Sequence, residues 1–146
     1  MSLINTTFTK QHRQCDEMFA DAEAAVAAGN WQQAGQDFSA FAGAMELHLT
    51  NEEEILFPAF EDRSGMREGP TMVMRDEHIH IRRLISEMTT DIEQQDADHY
   101  LGLSETMLIL MQQHNAKEEQ MLYGMCDNAL GDDDKSQVID KMKDID

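Results

Sequence analysis

The sequence predicts an all-α protein: an up-down-up-down four-helix bundle followed by a short fifth helix. Three observations predict it. Apolar residues recur at three- and four-residue steps along most of the chain, whereas alternating β-branched stretches are scarce. Only two prolines occur, Pro58 and Pro70, so long helices can run without interruption. The 146 residues contain no low-complexity segment and no evident linker. They are therefore read as a single domain, residues 1–146, with the bundle over about 8–130 and the last helix over about 133–145.

The first helix is expected from about Thr9 to Ala28, with Gly29 as its stop signal and Asn30 capping the next helix. The second begins near Trp31 and carries Phe38, Phe41, Met45, His48, Glu52, Ile55 and Leu56 at helical steps. Pro58 is expected to kink or end it, and Asp62-Arg63-Ser64-Gly65 with Gly69-Pro70 supplies the loop. The third starts near Thr71 and repeats Met74, His78, Ile81, Ile85, Met88 and Ile92. A turn at Gln95-Asp96-Ala97-Asp98 leads to the fourth, with Met107, Leu110, Met111, His114, Glu118, Met121, Leu122 and Met125. Gly131 and the run Asp132-Asp133-Asp134 break the chain before a short helix whose apolar edge is Val138, Ile139, Met142 and Ile145.

Composition excludes whole classes of function. Eleven Lys and Arg against 29 Asp and Glu give a formal charge of −18. That charge repels a phosphate backbone and an anionic membrane surface alike. No apolar run approaches the ~20 residues needed to span a bilayer, and the first residues lack the basic region and apolar core of a signal peptide. The two cysteines make no disulfide framework, so a reducing cytoplasm is the expected location.

The chain also repeats itself. A shift of 66 residues lays His12 on His78, His48 on His114, Glu52 on Glu118, Glu53 on Glu119, Leu56 on Leu122 and Phe57 on Tyr123. Two copies of one helical hairpin are thus fused in tandem. Hairpin geometry then places the histidines. His12 and His48 are equidistant from the Gly29-Asn30 turn, His78 and His114 from the second turn, and His48 and His78 from the middle loop. Helices rise at about 1.5 Å per residue, so all four lie at one height, one per helix, each in an apolar stripe.

Glu52 follows His48 by four residues, and Glu118 follows His114 by four, so each pair shares a helix face. Such pairs are weak evidence alone, since His12/Asp16 makes a third. The shared height and the repeat carry the weight. Isolated interior histidines can be satisfied by ordinary hydrogen bonds. Four at one level with two buried glutamates, and no basic residue repeated beside them, would be very costly without a cation. His12, His48, Glu52, His78, His114 and Glu118 form a nitrogen–oxygen set that suits iron, manganese or zinc. Six residues exceed what one tetrahedral ion needs, and a bridging carboxylate makes a two-metal centre the natural fit.

These residues resemble the hemerythrin-like (HHE cation-binding) domains. The resemblance rests on His12, the segment His48-Leu49-Thr50-Asn51-Glu52-Glu53-Glu54-Ile55-Leu56-Phe57-Pro58, His78 in Asp76-Glu77-His78, and His114-Asn115-Ala116-Lys117-Glu118-Glu119. It covers roughly residues 8–128. It implies a four-helix bundle holding a non-haem di-iron centre, two iron ions held by the four histidines and bridged by Glu52 and Glu118. The oxygen-carrying members have a fifth histidine one turn before the third-helix ligand, where this chain has Met74. The pattern is closer to the four-His, two-Glu members, among them iron-centre repair proteins, although the cysteine-containing segment usual in those is not matched here. The resemblance implies binding of, or reaction with, O₂, NO or peroxide, with iron donation or repair and NO or peroxide reduction as alternatives, and an unidentified redox partner. Two irons with about four protein ligands each would be nearly equivalent, and both could keep an open position.

The remaining candidates read more simply. Met74 is an apolar wall, and Cys15 and Cys126 are buried thiols about 22 Å apart in height. Met45, Met88, Met107, Met111, Met121 and Met125 fall at core spacing, and Tyr123 reads as core. Asp16 is expected to hydrogen-bond His12 or stand as a spare ligand. Glu53, Glu54 and Glu119 are expected on solvated faces, with Glu119 the best reserve ligand, and His80 and His99 in solvent.

Overall fold

A computed structural model describes residues 2–145. The helices are α1 (Leu3–Ala27), α2 (Trp31–Asn51), α3 (Phe57–Ser64), α4 (Pro70–Gln94), α5 (Ala97–Lys117), α6 (Tyr123–Ala129) and α7 (Asp132–Lys141). Five-residue π turns, Glu52–Leu56 and Glu118–Leu122, join α2 to α3 and α5 to α6. The seven segments therefore make four rods and a short fifth helix. α1 packs on α2 and α5, and α4 on α2 and α5, as an up-down-up-down bundle requires. No strand occurs among the described residues.

The turns follow the local chemistry. Gly29 adopts φ 72°, where a side chain would be strained, and Asn30 Oδ1 accepts the Gln33 N–H at 3.2 Å to start α2. Asp96 starts α5 in the same way through the His99 N–H at 3.1 Å. Gly65, at φ 74°, ends α3.

Three boundaries differ from the sequence expectation. α1 begins at Leu3 rather than Thr9 because a remote carboxylate caps it. Asp127 accepts the Ile4 and Asn5 N–H groups at 2.9 and 3.1 Å, while Ile4 and Phe8 bury fully. Pro58 does not end its helix. The π turn ahead of it carries i→i−5 bonding, with the Phe57 N–H on the Glu52 carbonyl, and the helix continues to Ser64. The equivalent π turn is followed by Gly124, so the proline is not its cause. α7 ends at Lys141. The chain turns extended at Met142, which buries in the cluster around Ile4, Phe8 and Phe57, while Ile145 packs on the cluster around Phe19, Phe38 and Phe41.

Burial divides into two apolar clusters. One, around Phe19, Phe38, Phe41, Ile81, Met88, Tyr100, Met107 and Met111, fills the end bearing the two hairpin turns. The other, around Ile4, Phe8, Leu56, Phe57, Phe60, Met74, Leu122 and Tyr123, fills the opposite end beneath α7. Each fully buried large side chain contributes about 1.5–3 kcal/mol. Met121 departs from its expected core position and is 51% exposed. The π turn changes the helical phase, so that Leu122 and Tyr123 point inward in its place. Replacing Asp127 by Ala should remove the trans cap on α1 and cost about 1–2 kcal/mol in urea unfolding, with the far-UV spectrum unchanged.

Candidate metal centre

A polar layer lies between the two apolar clusters. It contains His12, His48, His78 and His114, one per rod, with Glu52 and Glu118, all at most 2% exposed. These side chains fall into two groups that share both glutamates. His12, His48, Glu52 and Glu118 form one, and Glu52, His78, His114 and Glu118 the other, with the ligand atoms of each group within 4.8 Å of one another. The two histidine pairs face each other with ring centroids 4.7 Å apart (His12 and His48) and 5.0 Å apart (His78 and His114).

Each histidine is held from behind. The Nδ1 atoms of His12, His48, His78 and His114 lie 2.8, 2.8, 2.6 and 2.7 Å from Glu119 Oε2, Gln11 Oε1, Glu53 Oε2 and Glu77 Oε1. A carboxylate can only accept, so Nδ1 carries a proton and Nε2 turns inward, where it meets a glutamate and holds either a second proton or a cation. For His48 the same assignment follows from the chain's end. Gln11 Nε2 donates to the Lys143 carbonyl at 3.1 Å, which leaves Oε1 to accept from His48. Asn51 braces that segment with Nδ2 on the Lys143 carbonyl at 2.8 Å and Oδ1 on the Lys143 N–H at 3.0 Å.

The expected solvated faces at Glu53 and Glu119 are thereby overturned: each leans across to the histidine of a neighbouring rod. Glu54 is exposed, as expected. Asp16 is also exposed, and Glu119 takes the place behind His12 proposed for it. Arg82 holds Glu53 and Glu46 together, and Lys117 holds Glu77. Gln11 and Glu77 are repeat mates, and so are Glu53 and Glu119, so the supporting layer obeys the same 66-residue repeat. His80 is exposed, while His99 is half exposed and pairs with Asp91 at 2.7 Å. Both buried cysteines are free thiols.

The donor set fits a cation. His48, His78 and His114 Nε2, Glu52 Oε1 and Glu118 Oε2 are buried without a hydrogen-bond partner. Lone pairs thus face lone pairs: His78 Nε2 lies 3.1 Å from Glu52 Oε1, and His114 Nε2 3.2 Å from Glu118 Oε1. Protein groups alone relieve this only by taking up protons. Burial lowers the His12 pKa, but hydrogen bonds to Glu118 and Glu119 and the charges of Glu118 and Glu52 outweigh it and raise it to about 9. His114 rises to about 10 against its own burial, through Glu118 and Glu77. His48, which has the neutral Gln11 behind it, is lowered by burial and by the charge of His12. Burial and the charge of Glu118 lift Glu52 to about 7, whereas Glu118 is held low against its burial by His114 and His12.

A hemerythrin HHE cation-binding domain model matches residues 3–126. The chain belongs to that family. No curated protein and no solved structure matches it. The family is a cation-binding one, in keeping with the two buried groups that share Glu52 and Glu118.

Tyr123 is the residue of the site that spacing missed. Its hydroxyl donates to Glu52 Oε2 at 2.6 Å and lies 3.0 Å from Glu118 Oε1 and 3.1 Å from His12 Nε2. Five residues from Glu118, it would sit about 140° around an α-helix, and the π turn brings it onto the glutamate's face. An acid followed five residues later by an aromatic, in both repeats, is the signal that could have found it.

Cation and proton compete for the same nitrogens, so binding should release protons at neutral pH. Apparent zinc affinity should climb as pH rises toward the values of about 9 and 10 held by His12 and His114, and fall on acidification. Titration in weak buffer with a pH indicator checks both. Gln11→Ala, which frees the His48 ring, should weaken zinc binding about 10–100-fold with helicity intact.

Proposed function

We propose that this chain is a non-haem di-iron protein whose centre binds or reacts with a small diatomic ligand, O₂ or NO. The observation that carries the reading is the pair of two-His, two-Glu groups sharing Glu52 and Glu118. Nitrogen and hard carboxylate oxygen suit iron, and two adjacent groups with common carboxylates suit two ions. His12 and His48 would hold one ion and His78 and His114 the other, with Glu52 and Glu118 shared between them. Bound irons would supply redox-active positions able to take up a diatomic molecule or peroxide.

The chain's own residues prepare that chemistry. Glu119, Gln11, Glu53 and Glu77 fix the four rings with Nε2 inward, so the rings need only shed protons, and not turn, when an ion arrives. Phe8 packs against the His48 and Tyr123 rings, at 6.1 and 5.5 Å, and Phe57 stacks on His78 at 5.8 Å. With Met74, 2% exposed in the same cluster, they form an apolar floor that excludes water. Met74 offers neither a proton nor a hard donor where the oxygen-carrying relatives have a histidine. This favours electron exchange with the ligand over reversible storage, and the electrons would come from a separate redox partner. Two buried free thiols suit a reducing cytoplasm.

Glu52→Ala and Glu118→Ala should each abolish loading of two irons per chain, whereas His80→Ala and His99→Ala should leave it intact, as read by metal analysis after anaerobic ferrous loading. Two irons retained in either glutamate variant would sink the assignment. Air admitted to the reduced, loaded chain should convert it promptly to a stable ferric spectrum. A charge-transfer band that reverses under vacuum would mark a reversible O₂ carrier instead.

A further inference from the structure

Among the rings of the centre, the repeat is broken at one pair of equivalent positions. Phe57 and Tyr123 are repeat mates, each five residues after a buried glutamate and each fully buried. Each stacks on a histidine: Phe57 on His78 at 5.8 Å and 25°, Tyr123 on His12 at 5.6 Å and 29°. Only Tyr123 brings an oxygen. It stands 2.6 Å from Glu52 Oε2, 3.0 Å from Glu118 Oε1 and 3.1 Å from His12 Nε2.

A buried hydroxyl has one proton to donate, and here three acceptor atoms surround it. A hydrogen bond to Glu52 uses that proton, and even with a proton on His12 Nε2 the Tyr123–Glu118 contact is left as lone pairs in opposition. One cation satisfies all of them together. Adjacent donors on an octahedral ion with bonds of about 2.1 Å lie about 3 Å apart, which is the spacing of these contacts. We propose that Tyr123 is a metal ligand at the His12/His48 position, where its phenolate joins two histidines and two glutamates. The His78/His114 position, which faces Phe57, has one donor fewer. The two ions are therefore inequivalent in ligand number and in charge. Coordination breaks the phenolic O–H bond and forms an oxygen–metal bond. The proton passes to buffer and no electron moves.

This assignment rests on the di-iron reading above, and the test separates the two. The chain loaded with two ferric ions should absorb in the visible by phenolate-to-iron charge transfer. Excitation into that band should enhance tyrosine ring modes in the resonance Raman spectrum. Tyr123→Phe should lose the band and the modes completely while keeping two irons and its helicity. Tyr100→Phe, at the other of the two tyrosines, should keep everything. Two irons in the unmodified chain without enhanced phenolate modes would overturn the ligand assignment and leave the di-iron reading standing. Fewer than two irons would overturn the di-iron reading and this assignment with it. The spectrum of the unmodified chain decides the matter even where the variant fails to fold.

Discussion

Two glutamate side chains with no exposed surface, Glu52 and Glu118, lie together at the middle of the bundle, and the ion pairs they make are with histidines. Burying two carboxylates costs several kcal/mol each unless positive charge is supplied at close range. Protons on the surrounding imidazoles supply it in part, and cations bound between the histidines and glutamates would supply it fully. The rest of the structure is arranged around that requirement. Apolar clusters above and below exclude water, and four rods bring one imidazole each to a common level. Carboxylates or an amide behind each ring turn its free nitrogen inward.

The tandem repeat explains how so small a chain makes so symmetrical a centre. The residue before the histidine of one rod, Gln11 or Glu77, supports the histidine of the next. The residue after each glutamate, Glu53 or Glu119, supports the histidine of the remaining rod. Symmetry fails in two places, and both lie on the His12/His48 side. Gln11 replaces a glutamate and is held by the Lys143 backbone, so one ring gains a neutral support locked by the segment after α7. Tyr123 replaces a phenylalanine and brings an oxygen to the glutamates. The repeat makes two nearly equivalent halves, and these two differences distinguish them.

The π turns are the device that makes the glutamates and the aromatic rings cooperate. Both begin at a buried glutamate, and both carry the fifth residue onward to the glutamate's own face. An uninterrupted α-helix would send that residue about 140° away. The same change of phase explains why Met121 is outside and Tyr123 inside. It also explains how Pro58 is absorbed without a break, because the bonding around it is already non-α.

Local periodicity was enough to read most of this protein from its residues. Helical steps and turn residues placed the four rods, and equal distances from the turns put His12, His48, His78 and His114 at one height, because a helix rises uniformly along its length. The i,i+4 spacing put Glu52 and Glu118 beside two of them. Contacts between distant parts of the chain decided the rest. Asp127 starts α1 from 123 residues away, and Lys143 orients Gln11 from 132 residues away, and no local pattern encodes either. Glu53 and Glu119 read as surface acids because their role depends on which rod lies next to them. Tyr123 read as core because the 3.6-residue period holds only until a π turn interrupts it, and that interruption is written in the packing of the bundle rather than in the order of its residues.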